Sequence, residues 1–223
     1  ILTLSVYAST FGHYVAYALN LGDWFPRLIA LVIIGFLAMT NLRGMSNSSK
    51  IEIFTLYGKI LVLTGLAVFG ILQWDPGQLS RGLEGKSWDM AIIGAGTIFM
   101  AYEGFQLLSY DYGDLRNPHT VLPRATGWAV VTVILIYVSV ALGVTMAVGA
   151  DELVQHKTVA LAIAGREILG TAGLIIVTVA AAFSTASVIN TTLFSSSRLM
   201  EKVAEKKDLP HLFVKENLSL IHI

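Results

Sequence analysis

The chain has 223 residues, 55% of them hydrophobic and 13% charged, with 15 basic side chains balancing 15 acidic ones and a mean hydropathy of +0.69. Such a composition is too apolar for a soluble domain of this size and describes a polytopic membrane protein. The balanced charge presents no basic face to nucleic acid, and the absence of cysteine excludes disulfides and Cys-based metal or nucleophile sites.

The chain opens on Ile1-Leu2-Thr3-Leu4, already apolar and without a start methionine or a charged leader, which suggests a piece of a longer protein. Windows of about 20 apolar residues predict six spanning helices, at about 1–19, 27–42, 52–73, 91–112, 126–149 and 171–195, in a membrane domain that covers 1–216. Asp23, Pro26, Asn41 to Gly44, Asp75-Pro76-Gly77 and Asn117-Pro118 punctuate the connectors as turn chemistry requires. Residues 151–169 are too charged to span, and their later part has helical spacing, so a short helix at the membrane surface is expected at about 157–169. Residues 217–223 are expected to form a ragged C-terminal end.

Orientation follows from the basic residues, which cytoplasmic loops retain. Connectors two, four and six carry nine (Arg43, Lys50, Arg116, Arg124, Arg198, Lys202, Lys206, Lys207, Lys215) and the odd connectors five (Arg27, Arg81, Lys86, Lys157, Arg166), which places the even connectors inside. The fifteenth, Lys59, falls within the third span.

Polar residues inside the spans are the functional candidates, because a charge at mid-bilayer costs about 3 kcal/mol on insertion scales and has to be satisfied or used. Glu103 lies near the middle of the fourth span, and Phe99, Glu103, Gln106 and Tyr110 stand at i, i+4, i+7 and i+11, one face of a continuous helix. That stripe is compatible with interhelical hydrogen-bonding glue as well as with a substrate face. Gly104 would tolerate an opening of the helix, since glycine costs about 1 kcal/mol relative to alanine in a helix interior, but no proline marks one. Lys59, counted from Glu52 at the cytoplasmic edge, lies seven residues into its helix, about 10 Å deep at 1.5 Å per residue. From there it can snorkel back to the interface or serve inside the bundle. In the sixth span, Ala180 to Ser187 is a run of small and hydroxyl residues suited to close helix packing, with Ser184, Thr185 and Ser187 able instead to face Lys59. In the first span, Ser9, Thr10 and His13 suit hydrogen bonding in a bundle interior better than a proton relay.

Enzymatic chemistry lacks its residues. Asp111 and Asp114 faintly suggest an intramembrane aspartyl protease, yet that reaction needs two carboxylates converging from different helices, and these lie within one turn at a helix end. No HExxH or GxSxG is present, and no cofactor or metal is implied.

Phe99-Met100-Ala101-Tyr102-Glu103-Gly104-Phe105, then Arg116-Asn117-Pro118 and Leu122-Pro123-Arg124-Ala125, resembles the sixth helix of amino acid permeases of the amino acid-polyamine-organocation (APC) superfamily. Three short motifs occur in the right order and at the right spacing. Asn41-x-Arg43-Gly44, Ser197-Arg198-Leu199-Met200 and Asp208-Leu209-Pro210 extend the resemblance over nearly the whole chain, while Lys206-Lys207-Asp208 departs from the usual small-residue, Asp-Gly turn.

The resemblance implies an all-α polytopic membrane protein, a multi-pass protein of the cell membrane whose six spans are helices three to eight of an inverted-repeat transporter fold of five plus five helices. The sixth helix of that fold is broken, and substrate is held between the breaks of helices one and six. Helix one is absent, so this chain is expected to carry about half of the site and not to transport alone. On this basis Phe99, Met100, Ala101, Tyr102, Glu103, Gly104 and Gln106 are the expected substrate-binding residues. The ammonium of Lys59 would take the place of the sodium ion of ion-coupled relatives, with Ser184, Thr185 and Ser187 opposite it. The implied activity is secondary transport of amino acids or related amines, sodium-independent and driven by protons or by exchange. A non-transporting receptor or scaffold on the same fold is the alternative.

Overall fold

The structure is a computed structural model and describes residues 2–42, 49–81, 88–102, 104, 112 and 115–205. The described residues form helices joined by short turns, with no strand among them, in the order α1 (Leu2–Ala18), α2 (Phe25–Leu42), α3 (Ser49–Gln73), α4 (Gly77–Ser80), α5 (Trp88–Phe99), a 3₁₀ turn (Met100–Tyr102), α6 (Pro118–Val148), α7 (Ala150–Gln155) and α8 (Ala160–Glu205). They divide into two compact units, one of residues 1–62 and 156–223, the other of residues 63–155.

In the first unit α1 packs against α2 and α8, and α2 against α8. A left-handed Asn20 (φ 53°) closes α1, and the amides of Leu21 and Asn20 bond back to the carbonyls of Ala16 (2.9 Å) and Tyr17 (3.2 Å). This Schellman arrangement occupies carbonyls that the end of a helix leaves unpaired. Gly12 has no side chain because the Pro26 carbonyl of α2 stands where a Cβ would be. Small residues let helices approach in this way where no hydrophobic effect drives them together. Ala8, Tyr14 and Ala16 of α1 and Ala162, Ile163, Ala164, Val177 and Ile189 of α8 form the buried core. A direct bond joins α2 to α8, the Asn41 amide donating to Asn190 Oδ1 at 2.6 Å.

Of the stretch 157–169 where a surface helix is expected, residues 160–169 are helical and run into the following helix through Gly170, whose φ of 63° and ψ of −147° are not helical. Gly165 and Gly173 on either side pack backbone against backbone, which a side chain at either position would prevent.

In the second unit the later part of α3 meets α6 at Gly70 and Gly143. The helix α6 begins at Pro118, eight residues before the expected span, because Asn117 takes a left-handed conformation (φ 54°) and Pro118 sits at the first helical position. A proline there loses no hydrogen bond. Pro123, inside the second turn, removes one backbone bond without ending the helix. At the other end Gly149 (φ 98°) bonds its amide to the Thr145 carbonyl at 2.8 Å, and Arg81 Nε lies 3.8 Å from Asp151 Oδ2 with both half exposed, an ion pair worth little.

Ile53–Gln73, Pro118–Val148 and Ala160–Ser197 are long and apolar enough to cross a membrane, and Phe25–Asn41 is a shorter apolar helix. Their outward faces carry large apolar side chains, Leu31, Phe54, Leu61 and Leu135 among them, each more than 60% exposed. An apolar exterior on helices with internally satisfied backbones belongs in lipid or against further helices, so this is a multi-pass membrane protein.

Candidate functional site

The expected substrate segment lies in the second unit. The α-helix stops at Phe99 and tightens to a 3₁₀ turn over Met100–Tyr102, and Gly104 has φ +116°, a conformation that L side chains rarely adopt. A polar stripe from Phe99 to Tyr110 would need one continuous α-helix, and the α-helix ends at the first of these residues. Phe99 is 73% exposed, Ala101 is exposed and Tyr102 half-buried. Met100 belongs to the turn. Glu103 and Gln106 lie outside the described residues, as do Tyr110 and Asp111.

The turn is held from α6. The Tyr137 hydroxyl donates to the Ala101 carbonyl at 3.1 Å, and the rings of Tyr102 and Tyr137 stand 5.4 Å apart at 57°, a favourable tilted aromatic geometry. The sequence reading missed Tyr137, although a phenol inside the run Val133-Ile134-Leu135-Ile136-Tyr137-Val138 is a visible polar tip at membrane depth.

The expected coupling residues lie in the first unit. Lys59 is half-buried on a cleft of about 440 Å³ lined by Phe54, Thr55, Gly58 and Val62 of α3 and by Ile175, Ile176, Val179, Ala180 and Phe183 of α8. Among the described residues, its ammonium is the sole charged group on the wall. The structure thus brings Lys59 to the start of the small-residue run, whereas Ser184, Thr185 and Ser187 do not line the cleft. Thr185 is buried and donates back to its own helix, at 2.7 Å from the Ala181 carbonyl and 3.1 Å from that of Ala182. Such back-bonding uses up the hydroxyl's one proton.

In α1, His13 Nδ1 donates to the Ser9 carbonyl at 2.8 Å and Thr10 donates to the Val6 carbonyl at 2.9 Å. Both are bonds within one helix. Among the described residues no group of His, Asp or Glu has the geometry of a metal site.

A family model described as amino acid permease matches residues 1–220. Relatives include the inner membrane transport protein YbaT of Escherichia coli, 30% identical over 96% of this chain and 50% of its own length. The serine/threonine exchanger SteT of Bacillus subtilis is 26% identical over 95% of this chain and 48% of its own. The large neutral amino acids transporter small subunit 2 of Mus musculus is 28% identical over 98% of this chain and 42% of its own. The chain spans about half the length of the curated relatives it matches.

Proposed function

The chain belongs to the amino acid permease family, and from that premise we propose that it forms about half of a secondary transporter for amino acids or related amines, sodium-independent and driven by protons or by exchange. The observation that carries this reading is the end of α5 at Phe99, followed by the turn Met100–Tyr102 and the positive φ of Gly104. An interrupted helix at membrane depth takes backbone donors and acceptors out of the α-helical ladder, and those groups can hold the carboxylate and amine of a zwitterion without a dedicated charged side chain. In this reading Phe99, Met100, Ala101, Tyr102, Glu103, Gly104 and Gln106 line the substrate, the opposite wall coming from outside residues 1–223.

Lys59 has the coupling role. Its ammonium stands on a largely apolar wall and supplies the positive charge that a permease working without sodium needs in place of the ion. The names of the relatives, an exchanger for serine and threonine and a transporter of large neutral amino acids, favour neutral amino acids as substrates.

The test is uptake of radiolabelled L-serine, L-threonine and L-leucine by the full-length protein in proteoliposomes. It is run with an imposed pH gradient, with internal unlabelled amino acid, and with or without sodium. Accumulation driven by either of the first two and indifferent to sodium is expected. Binding without uptake under every condition would replace the proposal with the receptor reading, and strict sodium dependence would remove Lys59 from the coupling role.

A further inference from the structure

We infer that Tyr137 is a positioning residue for the broken helix: its hydroxyl fixes the turn at Met100–Tyr102 and thereby sets where the backbone groups of that turn stand when substrate binds. The inference rests on the reading of this turn as part of the substrate site. Its geometry comes from a contact 36 residues apart in the chain, the Tyr137 hydroxyl donating to the Ala101 carbonyl at 3.1 Å.

Tyr137 is the twentieth residue of the 31-residue helix α6, about 6 Å from its midpoint at 1.5 Å per residue. A phenol at that depth is expensive without an acceptor, because there is no bulk water to serve as one. An acceptor it meets is a main-chain carbonyl in the turn that directly follows the last α-helical residue. A bond to an ordinary mid-helix carbonyl would only satisfy the phenol. A bond to this one also restrains a segment that has left the α-helical ladder. The Tyr102 ring, packed on that of Tyr137, restrains the same turn through a second contact, so hydroxyl and ring hold consecutive residues, Ala101 and Tyr102, against one side chain.

Two other places in the fold point less far. The cleft beside Lys59 belongs to the coupling role already proposed. A second cleft of about 460 Å³, with Tyr17, Asn20, Arg166 and Thr171 on its wall, has polar chemistry but no second feature that selects a ligand.

The experiment compares wild type with Tyr137→Phe, which keeps the ring and removes only the donor, in the full-length protein in lipid nanodiscs. Hydrogen–deuterium exchange of peptides covering Phe99 to Gly104 should be about three- to tenfold faster in the variant, the scale of one lost hydrogen bond. Peptides from α3 and from residues 171–205 should be unchanged. In proteoliposomes KM for L-serine should rise by a similar factor while kcat is retained, since a looser turn weakens binding without altering the steps that follow. Unchanged exchange at Phe99 to Gly104 would overturn the inference, as would an equal rise over the whole protein, which is the mark of general destabilisation. A local rise with KM unaltered would leave Tyr137 restraining the turn but not positioning it for substrate, and would overturn the inference as well. Exchange is read without substrate, so a wild type that takes up no amino acid defeats the transport proposal while the exchange result still decides whether Tyr137 holds the turn.

Discussion

Gly70→Ala tests whether the second unit is built on backbone contact between α3 and α6. A Cβ at residue 70 would fall on the Gly143 carbonyl and 2.7 Å from its Cα, and in the reverse direction a Cβ at residue 143 would stand 2.8 Å from the Ala67 Cα. Ordinary carbon contacts are about 3.5–4.0 Å, so the helices must separate by about 1 Å, and backbone cannot step aside as a flexible side chain can. Overpacking of this kind costs about 1–3 kcal/mol, against about 1 kcal/mol gained when alanine replaces glycine in a helix. The net is a loss of about 0–2 kcal/mol. Gly127→Ala in α6 is the control, because nothing lies within 4 Å of a Cβ there and only the helix-propensity gain remains. The helix-propensity gain is common to both, so the two variants should differ by the overpacking cost, about 1–3 kcal/mol. At about 2 °C per kcal/mol for a protein of this size or larger, their melting temperatures in detergent should lie about 2–6 °C apart, with Gly127→Ala the higher. A Gly70→Ala protein that melts as high as Gly127→Ala would refute the close approach.

Lys59→Ala should abolish pH-dependent accumulation, and Lys59→Arg, which stays protonated, should bind substrate without concentrating it; in the same assay Ser184→Ala should weaken accumulation more than Thr185→Ala, and the reverse order would contradict the geometry. Replacing Glu103 with Gln keeps its size and hydrogen bonding, so uptake should survive, whereas Glu103→Ala should raise KM about 5- to 100-fold by leaving a polar partner unsatisfied. Equal loss in both Glu103 variants would show that the charge itself is required.

How far the sequence reveals this architecture depends on the range of the interaction that decides each feature. The apolar helices were legible because about 20 apolar residues in a row have no other stable setting than lipid or the interior of a bundle, and Lys59 stood out as the one lysine or arginine inside an expected span rather than at its edge. The end of α5 at Phe99 was not legible from pattern. Ala91 to Phe99 is continuous apolar sequence without proline, Gly104 alone is compatible with a straight helix, and the residue that grips the turn, Tyr137, lies 36 positions away. Motif resemblance supplied the break where periodicity could not. The start of α6 was misplaced for the opposite reason: Pro118 and Pro123 read locally as breakers, but the first occupies the position where a missing amide costs nothing and the second is absorbed by a long helix. The Asn41–Asn190 bond is likewise invisible to any local reading, since neither residue has a sequence neighbour that specifies the other.

The three hydroxyls proposed opposite Lys59 are not equivalent once the helix that bears them is considered. Ala180, which lines the Lys59 cleft, Ser184 and Ser187 stand at i, i+4 and i+7, and therefore continue one face of α8. Thr185 is turned about 100° from Ser184, is buried, and has its proton committed to the Ala181 carbonyl. From Ala180 to Ser184 is about one turn, or 5–6 Å along the axis, within the span of a four-carbon lysine stem. The direction matters as well. α3 is read as entering from the cytoplasm and α8 as returning to it, so a lysine that snorkels toward the nearer interface moves along α8 from Ala180 toward Ser184 and away from Ile176. The snorkelling reading of Lys59 and the coupling reading therefore describe two positions of one side chain. In the coupling reading, Ser184 is the hydroxyl that the inward position meets first.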